Sequence, residues 1–222
     1  MTSAADVRRL QAMDDMLAGY LARLAVNSYE DFVRNLYDQI HRSINSLENY
    51  KHYIEHEGED ATTARIIMFL EGAGLKARQQ AAGGNVDIYV DDLTNNFKWI
   101  GEAKKYESVT NIAEGFKQLV TRYASGKDKK GKGYGALIAY LRRPNTIHHV
   151  DAWKDTIAKL PEATNVRFSE CQRMAPFAFL SEHDHQETNC SYETWHVCVQ
   201  LLVDPKDKSG IESKAGKKRR AA

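Results

Sequence analysis

The sequence predicts an α/β fold whose central elements run α-β-β-β-α-β, preceded by a helical extension. Three observations lead there. Residues 85–105, NVDIYVDDLTNNFKWIGEAKK, hold two apolar-alternating runs, 86–90 and 97–103. Asp91, Asp92, Thr94, Asn95 and Asn96 part them, which is the pattern of a β-hairpin. Residues 134–141, YGALIAYL, are continuously apolar, as in a strand buried on both faces. Around these runs lie segments whose apolar residues recur at helical spacing.

In chain order, residues 4–26 predict an amphipathic helix with Leu10, Met13, Leu17, Tyr20, Leu21 and Leu24 along one side. Asn27-Ser28 breaks it, and Ser28 can cap a second helix over about 29–55, with Asp31 in the capping-box position. Phe32, Val33, Leu36, Ile40, Ile44, Leu47 and Ile54 make its stripe. Two such helices can form an αα-hairpin packed on itself, on the rest of the chain, or on a second copy. Gly58 precedes a third helix over 61–71, closed by Gly72 and Gly74. A strand is expected over 75–81, turned by Gly83-Gly84 into the hairpin. A fourth helix follows over 110–124, with Ile112, Phe116, Leu119, Val120 and Tyr123 on one side. After the strand at 134–141, Thr146 can cap a helix reaching about 160. Residues 166–170 and 195–203 read as further strands, and His183-Asp184-His185 reads as loop. From 206 onward periodicity is lost and the chain ends on Lys217, Lys218, Arg219 and Arg220, as a disordered basic tail does. The expected division is a helical hairpin over 1–56, an α/β domain over 57–205 and a tail over 206–222.

A formal net charge of +1 leaves no global basic field, so any nucleic-acid contact must come from local patches. Cys171, Cys190 and Cys198 are odd in number and sit in one third of the chain, which argues against a disulfide framework and for a reducing compartment. With no long apolar run and no signal-like N-terminus, a cytoplasmic protein without a membrane partner is expected.

The hairpin carries the chemistry. With its turn centred between Thr94 and Asn95, Asp87 lies opposite Glu102, and Lys104 projects to the same face two residues on. Carboxylates about 4.5–5.5 Å apart at Cβ repel unless something positive sits between them. A divalent cation serves, and Mg²⁺ takes one or two carboxylates with water and substrate phosphate as the remainder. The plain alternative is a solvent-facing ion-pair ladder.

Asp87, fourteen further residues, then Glu102-Ala103-Lys104 resemble the signature of the restriction-endonuclease-like PD-(D/E)xK nuclease superfamily, with Val86 where that signature writes proline. The element order over about 55–141 resembles its core as well. The resemblance implies a restriction-endonuclease-like core, a mixed sheet flanked by helices, and Mg²⁺- or Mn²⁺-dependent phosphodiester hydrolysis. Asp87 and Glu102 would hold the metal, joined by the Ala103 carbonyl. Lys104 would orient the nucleophile, stabilise developing charge or act as a base. A glutamate from the first core helix is implied too. Glu55, Glu57 and Glu59 compete for that place, and Glu59, beside the helix start, is favoured. Acids near a helix N-terminus are also favoured by the macrodipole alone.

Gln118 and Arg122 share a face of the helix after the hairpin and are candidate nucleic-acid contacts. Lys105 and the loop lysines Lys127, Lys129, Lys130 and Lys132 are candidates for the phosphate backbone, with Arg142 and Arg143 extending the patch. A zinc site from His183, His185, Cys190, His196 and Cys198 is the rival metal reading, without a CxxC pair to support it.

The expected function is a metal-dependent endodeoxyribonuclease in restriction or phage defence. A repair or recombination nuclease, or an inactive nuclease-like subunit that binds nucleic acid or scaffolds a partner, are the alternatives. DNA is the expected substrate, and a homodimer or larger protein partner through the N-terminal helices the expected assembly.

Overall fold

The computed structural model describes residues 26–81, 85–92, 95–123, 131–186 and 188–206. The expected first helix, the Gly83-Gly84 turn, Lys127, Lys129, Lys130 and the tail beyond 206 lie outside them. The elements are α1 (Tyr29–Asn49), α2 (Glu59–Gly72), β1 (Lys76–Ala81), β2 (Asn85–Asp92), β3 (Phe97–Lys105), α3 (Val109–Gln118), a π-helical turn (Leu119–Tyr123), β4 (Gly133–Leu141), α4 (Thr146–Ile157), β5 (Thr164–Glu170), β6 (Ala178–Asp184) and β7 (Ser191–Gln200). The strands form one seven-stranded mixed sheet, β1-β2-β3-β4-β7-β6-β5. β4 pairs in parallel with β3 and β7, and the outer pairings are antiparallel. From α2 to β4 the order is the expected α-β-β-β-α-β.

Helices cover both faces. α1 starts where Ser28 Oγ accepts the Asp31 N–H at 3.0 Å, satisfying one orphan donor of the first turn. Its stripe, with Leu36, Ile40 and Ile44 wholly buried, packs with α2 over Trp99, Tyr134, Ala136, Trp195 and Val197. Tyr37 lies between Trp99 and Trp195 and donates its hydroxyl to the Gly135 carbonyl at 2.9 Å. α3, the π-helical turn and α4 cover Ile100, Leu137, Ala139, Phe179 and Cys198 on the other face. β4 is buried at every position, as its continuous apolar run requires. No helix among the described residues is long and apolar enough to cross a membrane.

Four expectations need correction. α1 ends at Asn49 rather than near Glu55: Tyr50 leaves helical geometry and the chain winds through turns up to Gly58. The apolar spacing misled because Ile54 is buried from a turn, not from a helix. Asn145, in the left-handed region at φ 62°, occupies the cap of α4, and Thr146 is the first helical residue. β6 was not expected, and His183 and Asp184 belong to it rather than to a loop. Its inward positions include Ser181 and His183, so the strand lacks the apolar alternation that marks one. β7 likewise begins four residues early, at Ser191.

Candidate active site

The hairpin forms in the expected register. Asp92 faces Phe97, and the ladder runs to Ile88 opposite Gly101. The next step is Asp87 and Glu102, and there the ladder gives way. The Ala103 N–H, which a neighbouring strand would otherwise accept, donates to Asp87 Oδ2 at 2.9 Å. Two residues on, the Lys105 N–H points the same way and donates to Glu59 Oε2. On its other side β3 keeps pairing with β4 through Lys105 and Tyr140. The open edge of β3 thus has two orphan ladder donors, each satisfied by a carboxylate rather than left bare. Because N–H and C=O of one strand residue point to the same side, the Ala103 carbonyl faces this notch too.

Side-chain alternation does the rest. Trp99 and Ala103 point to the α1/α2 face, Ile100 to the α3 face, and Glu102 and Lys104 follow Ile100 by the period of two. Glu59, the first residue of α2 on the opposite face, reaches the open edge from there. Lys104 Nζ lies 2.6 Å from Glu102 Oε1, 3.8 Å from Glu59 Oε1 and 3.9 Å from Asp87 Oδ2. Its stem runs under Gly115 of α3, where an added Cβ would come 2.8 Å from Lys104 Cγ and 3.1 Å from Leu137 Cδ1. Glycine there lets the helix close over the lysine.

Three carboxylates share one ammonium. Burial lifts the Glu102 carboxyl to about 7, the Asp87 charge adds to the rise, and Lys104 opposes it. Burial likewise raises Asp87, against the Ala103 N–H and Lys104. For Lys104 burial works against the charged form, but the Glu102 hydrogen bond and the surrounding carboxylates outweigh it and hold the pKa above its ordinary value. The notch is short of positive charge.

That shortage bears on the metal expected from sequence. Glu102 Oε2 is buried without a hydrogen-bond partner, and every candidate donor is a hard oxygen, as Mg²⁺ and Mn²⁺ prefer. Among the described residues no three His, Cys, Asp or Glu side chains form a ready cage. Asp87, Glu102 and the Ala103 carbonyl would supply a partial shell of the kind Mg²⁺ completes with water and phosphate. The residues fit the ion.

The other predicted residues fall in different places. Of the three candidate glutamates, Glu59 is the one brought to the notch, on the Lys105 N–H and 3.8 Å from Lys104 Nζ, while Glu57 pairs with Arg65. Gln118 closes α3, half-buried, one turn past Gly115 on the same face. The Arg122 side chain lies outside what is described. Lys105 is exposed beside the notch, 3.7 Å from Glu107. Lys132 is not brought to the site. It precedes β4, whose Leu137 is level with Glu102, so it stands roughly 17 Å down the strand at about 3.3 Å per residue. There it bonds Glu193 and Glu182, at 3.1 and 3.5 Å. Arg142 does not extend a basic patch; it turns inward onto main-chain carbonyls. A groove lined by Leu47, Tyr50, Tyr53, Ile54, Met68 and Phe69 lies between the end of α1 and α2, and none of the notch residues lines it.

Of the zinc candidates, His183, His196 and Cys198 sit under α3 and α4, while His185 and Cys190 lie at the connection between β6 and β7. His196 stacks on Phe179 at 4.3 Å and meets Ser181 Oγ at 2.7 Å. His183 lies 5.3 Å from the Phe116 ring. Burial pushes the Cys198 thiol up to about 12, far from the thiolate a metal binds. Sequence reading missed Gly115 and Tyr140, and it placed Arg142 in a basic patch rather than on main-chain carbonyls. A lone glycine inside a helical pattern was the one available signal, since it costs helix stability unless something must approach closely. Comparison with protein-family models, with curated proteins and with solved structures finds no match, so the functional reading rests on the geometry of these residues.

Proposed function

We propose that this chain is a metal-dependent nuclease that hydrolyses phosphodiester bonds in DNA on a restriction-endonuclease-like core, with Asp87, Glu102 and Lys104 as catalytic residues. One observation carries the reading: three acids from three elements converge on one lysine at the open edge of β3, with one carboxylate oxygen buried and unpartnered. An incidental ion-pair ladder would be solvated, whereas Glu102 is 2% exposed. Leaving such a group underpaired costs stability, which a fold retains where function requires it.

Asp87, Glu102 and the Ala103 carbonyl would hold Mg²⁺ or Mn²⁺, with Glu59 at the margin. The ion, when bound, supplies Lewis acidity to the scissile phosphate and lowers the pKa of a water. Lys104 supplies fixed positive charge where the phosphate accumulates negative charge. Without a metal the Glu102 hydrogen bond and the surrounding carboxylates favour the charged form of Lys104, which suits charge stabilisation. The Ala103 and Lys105 N–H groups hold Asp87 and Glu59 in place, and Gly115 holds the lysine stem. Gln118 and Lys105 flank the notch as backbone contacts. One site cuts one strand, so a double-strand break takes two copies or two encounters.

The test is incubation of the purified protein with plasmid, linear and single-stranded DNA and with RNA, in Mg²⁺, Mn²⁺ or EDTA, beside a Glu102→Gln control. Cleavage of DNA that needs the metal and Glu102 is expected. Intact nucleic acid in every lane would end the enzyme reading, and equal cleavage by the control would assign the activity to a contaminant.

A further inference from the structure

Glu59 reaches the notch from a helix start with no side-chain cap: Gly58 occupies the cap position of α2. Something else must fix that end. Just past β4, Arg142 lays its guanidinium against the turn segment before α2. Nη1 donates to the carbonyls of Ile54, at 3.0 Å, and Glu55, and Nη2 donates to the carbonyl of Glu57 at 3.0 Å. The planar fork of an arginine serves carbonyls spread along the segment from two fixed nitrogens, a geometry the single ammonium of a lysine lacks. Tyr140, the next-to-last residue of β4, braces the first turn from beside it. Its hydroxyl meets Thr63 Oγ1 at 2.9 Å, and Thr63 Oγ1 also lies 2.9 Å from the Glu59 carbonyl, as donor. β4 is registered with β3, Lys104 facing Ala139 and Lys105 facing Tyr140. The strand next to the notch therefore sets the position of Glu59 relative to Lys104 and the Lys105 N–H.

We infer that Arg142 is a positioning residue of the acidic notch: by clamping the carbonyls of residues 54, 55 and 57 it fixes the start of α2 and so holds the Glu59 carboxylate on the Lys105 N–H and beside Lys104. The role in cleavage rests on the nuclease reading above; the placement of Glu59 does not. The hydrogen bonds of the guanidinium go to main-chain carbonyls of the segment before α2, so its route to the notch is through the position of Glu59.

Two measurements on the full chain test this. The first is amide hydrogen exchange, independent of activity. In Arg142→Ala the Lys105 amide, released by Glu59, should exchange about tenfold faster or more, on the scale of local opening, while the Ala103 amide, held by Asp87, stays within about twofold. Arg142→Lys, which keeps charge and stem, should fall between and serves if the alanine variant does not fold. An unchanged Lys105 rate in a folded variant, or equal acceleration at Lys105 and Ala103, overturns the inference. The second is single-turnover DNA cleavage. Arg142→Ala should lose about 10²-fold, the scale of an ångström-level misplacement, with DNA affinity in Ca²⁺ unchanged. In a Glu59→Gln background the further loss should vanish, because residues acting through one another are not additive. A full loss in that background overturns it. A wild type that cleaves nothing removes the nuclease reading and leaves the exchange result to decide the placement.

Discussion

Two clusters of polar side chains meet this sheet, and they differ even in burial: at the β2/β3 edge Glu102 is buried and its neighbours only partly so, whereas all four residues of the other cluster are buried. At the β2/β3 edge, Asp87, Glu102, Glu59 and Lys104 are charged, drawn from three elements, and set where a ladder stops. On β6 and β7, Ser181, His183, Thr194 and His196 are neutral groups in regular pairing beneath α3 and α4. Burial acts on the two in opposite senses. It raises Glu102 to about 7, and it lowers His183 to about 4 and His196 well below its ordinary value. In both cases the neutral form is favoured. The difference is charge rather than satisfaction: both His183 ring nitrogens, His196 Nδ1 and Thr194 Oγ1 are also buried without a partner, but those groups are neutral, whereas the notch sets three carboxylates around one ammonium. An unpartnered buried atom alone does not mark a ligand site; like charge in excess of its counter-charge is what sets the notch apart.

The largest expected effect breaks the notch. Lys104→Ala leaves both carboxylates and removes the fixed cation, so single-turnover cleavage should fall about 10²–10³-fold, the cost of one preorganised donor. DNA binding in Ca²⁺ should change far less, because many contacts hold the backbone. Cleavage at the wild-type rate would remove Lys104 from the chemistry.

Stability against pH sharpens the comparison. His183 has a folded pKa near 4 against about 6.5 unfolded. Its contribution is whole above about 6.5 and is lost as pH falls toward 4, at most on the order of 3 kcal/mol. His183→Phe should flatten that slope in urea melts between pH 7 and 4. Glu102 runs the other way. Its folded pKa exceeds the unfolded value, so its stabilisation is whole below about 4.5 and is lost as pH rises through about 7. Glu102→Gln should therefore raise the thermal midpoint at pH 8 without metal, and Mg²⁺ should raise the wild type more than the variant. Parallel slopes for both variants would show that the two groups do not differ as described.

Gly115→Ala should cost about 1–3 kcal/mol by overpacking, with cleavage reduced beyond what the lost stability explains, because the new methyl meets the Lys104 stem. A stability loss with full activity would show that the lysine can yield. Smallest, and a control for both groups, Ser28→Ala removes the cap of α1. It should cost about 1 kcal/mol and leave cleavage by the folded fraction untouched.

The notch was legible because its determinants are local. The Asn and Asp residues around the turn and the alternation on either side set the hairpin register, and the register sets which side chains share a face. β4 was legible from its unbroken apolar run. What was hidden depends on partners far away in the chain. β6 carries Ser181 and His183 inward because β7 and α3 supply their surroundings, so no alternation announces it. The break after Asn49 is hidden by Ile54, which keeps the helical spacing while packing from a turn. Lys132 reads as a free cation, but strand pairing brings Glu193 and Glu182 to it. Arg142 acts on main-chain carbonyls, which have no signature in a sequence at all.

The place of β7 in the sheet governs the order in which this chain can be built. β7 fills the position next to β4, yet the ribosome makes it only after α4, β5 and β6. Until it arrives, β4 presents an unpaired edge on a strand of GYGALIAYL, apolar, uncharged and free of proline. Such a segment is prone to join a like segment of another chain. Parallel pairing between strands far apart is slow to form. Nascent protein should thus pass through an interval in which β4 is made but its edge is still open, and yield of soluble protein should respond to growth temperature and chaperone supply more than to any change in the notch.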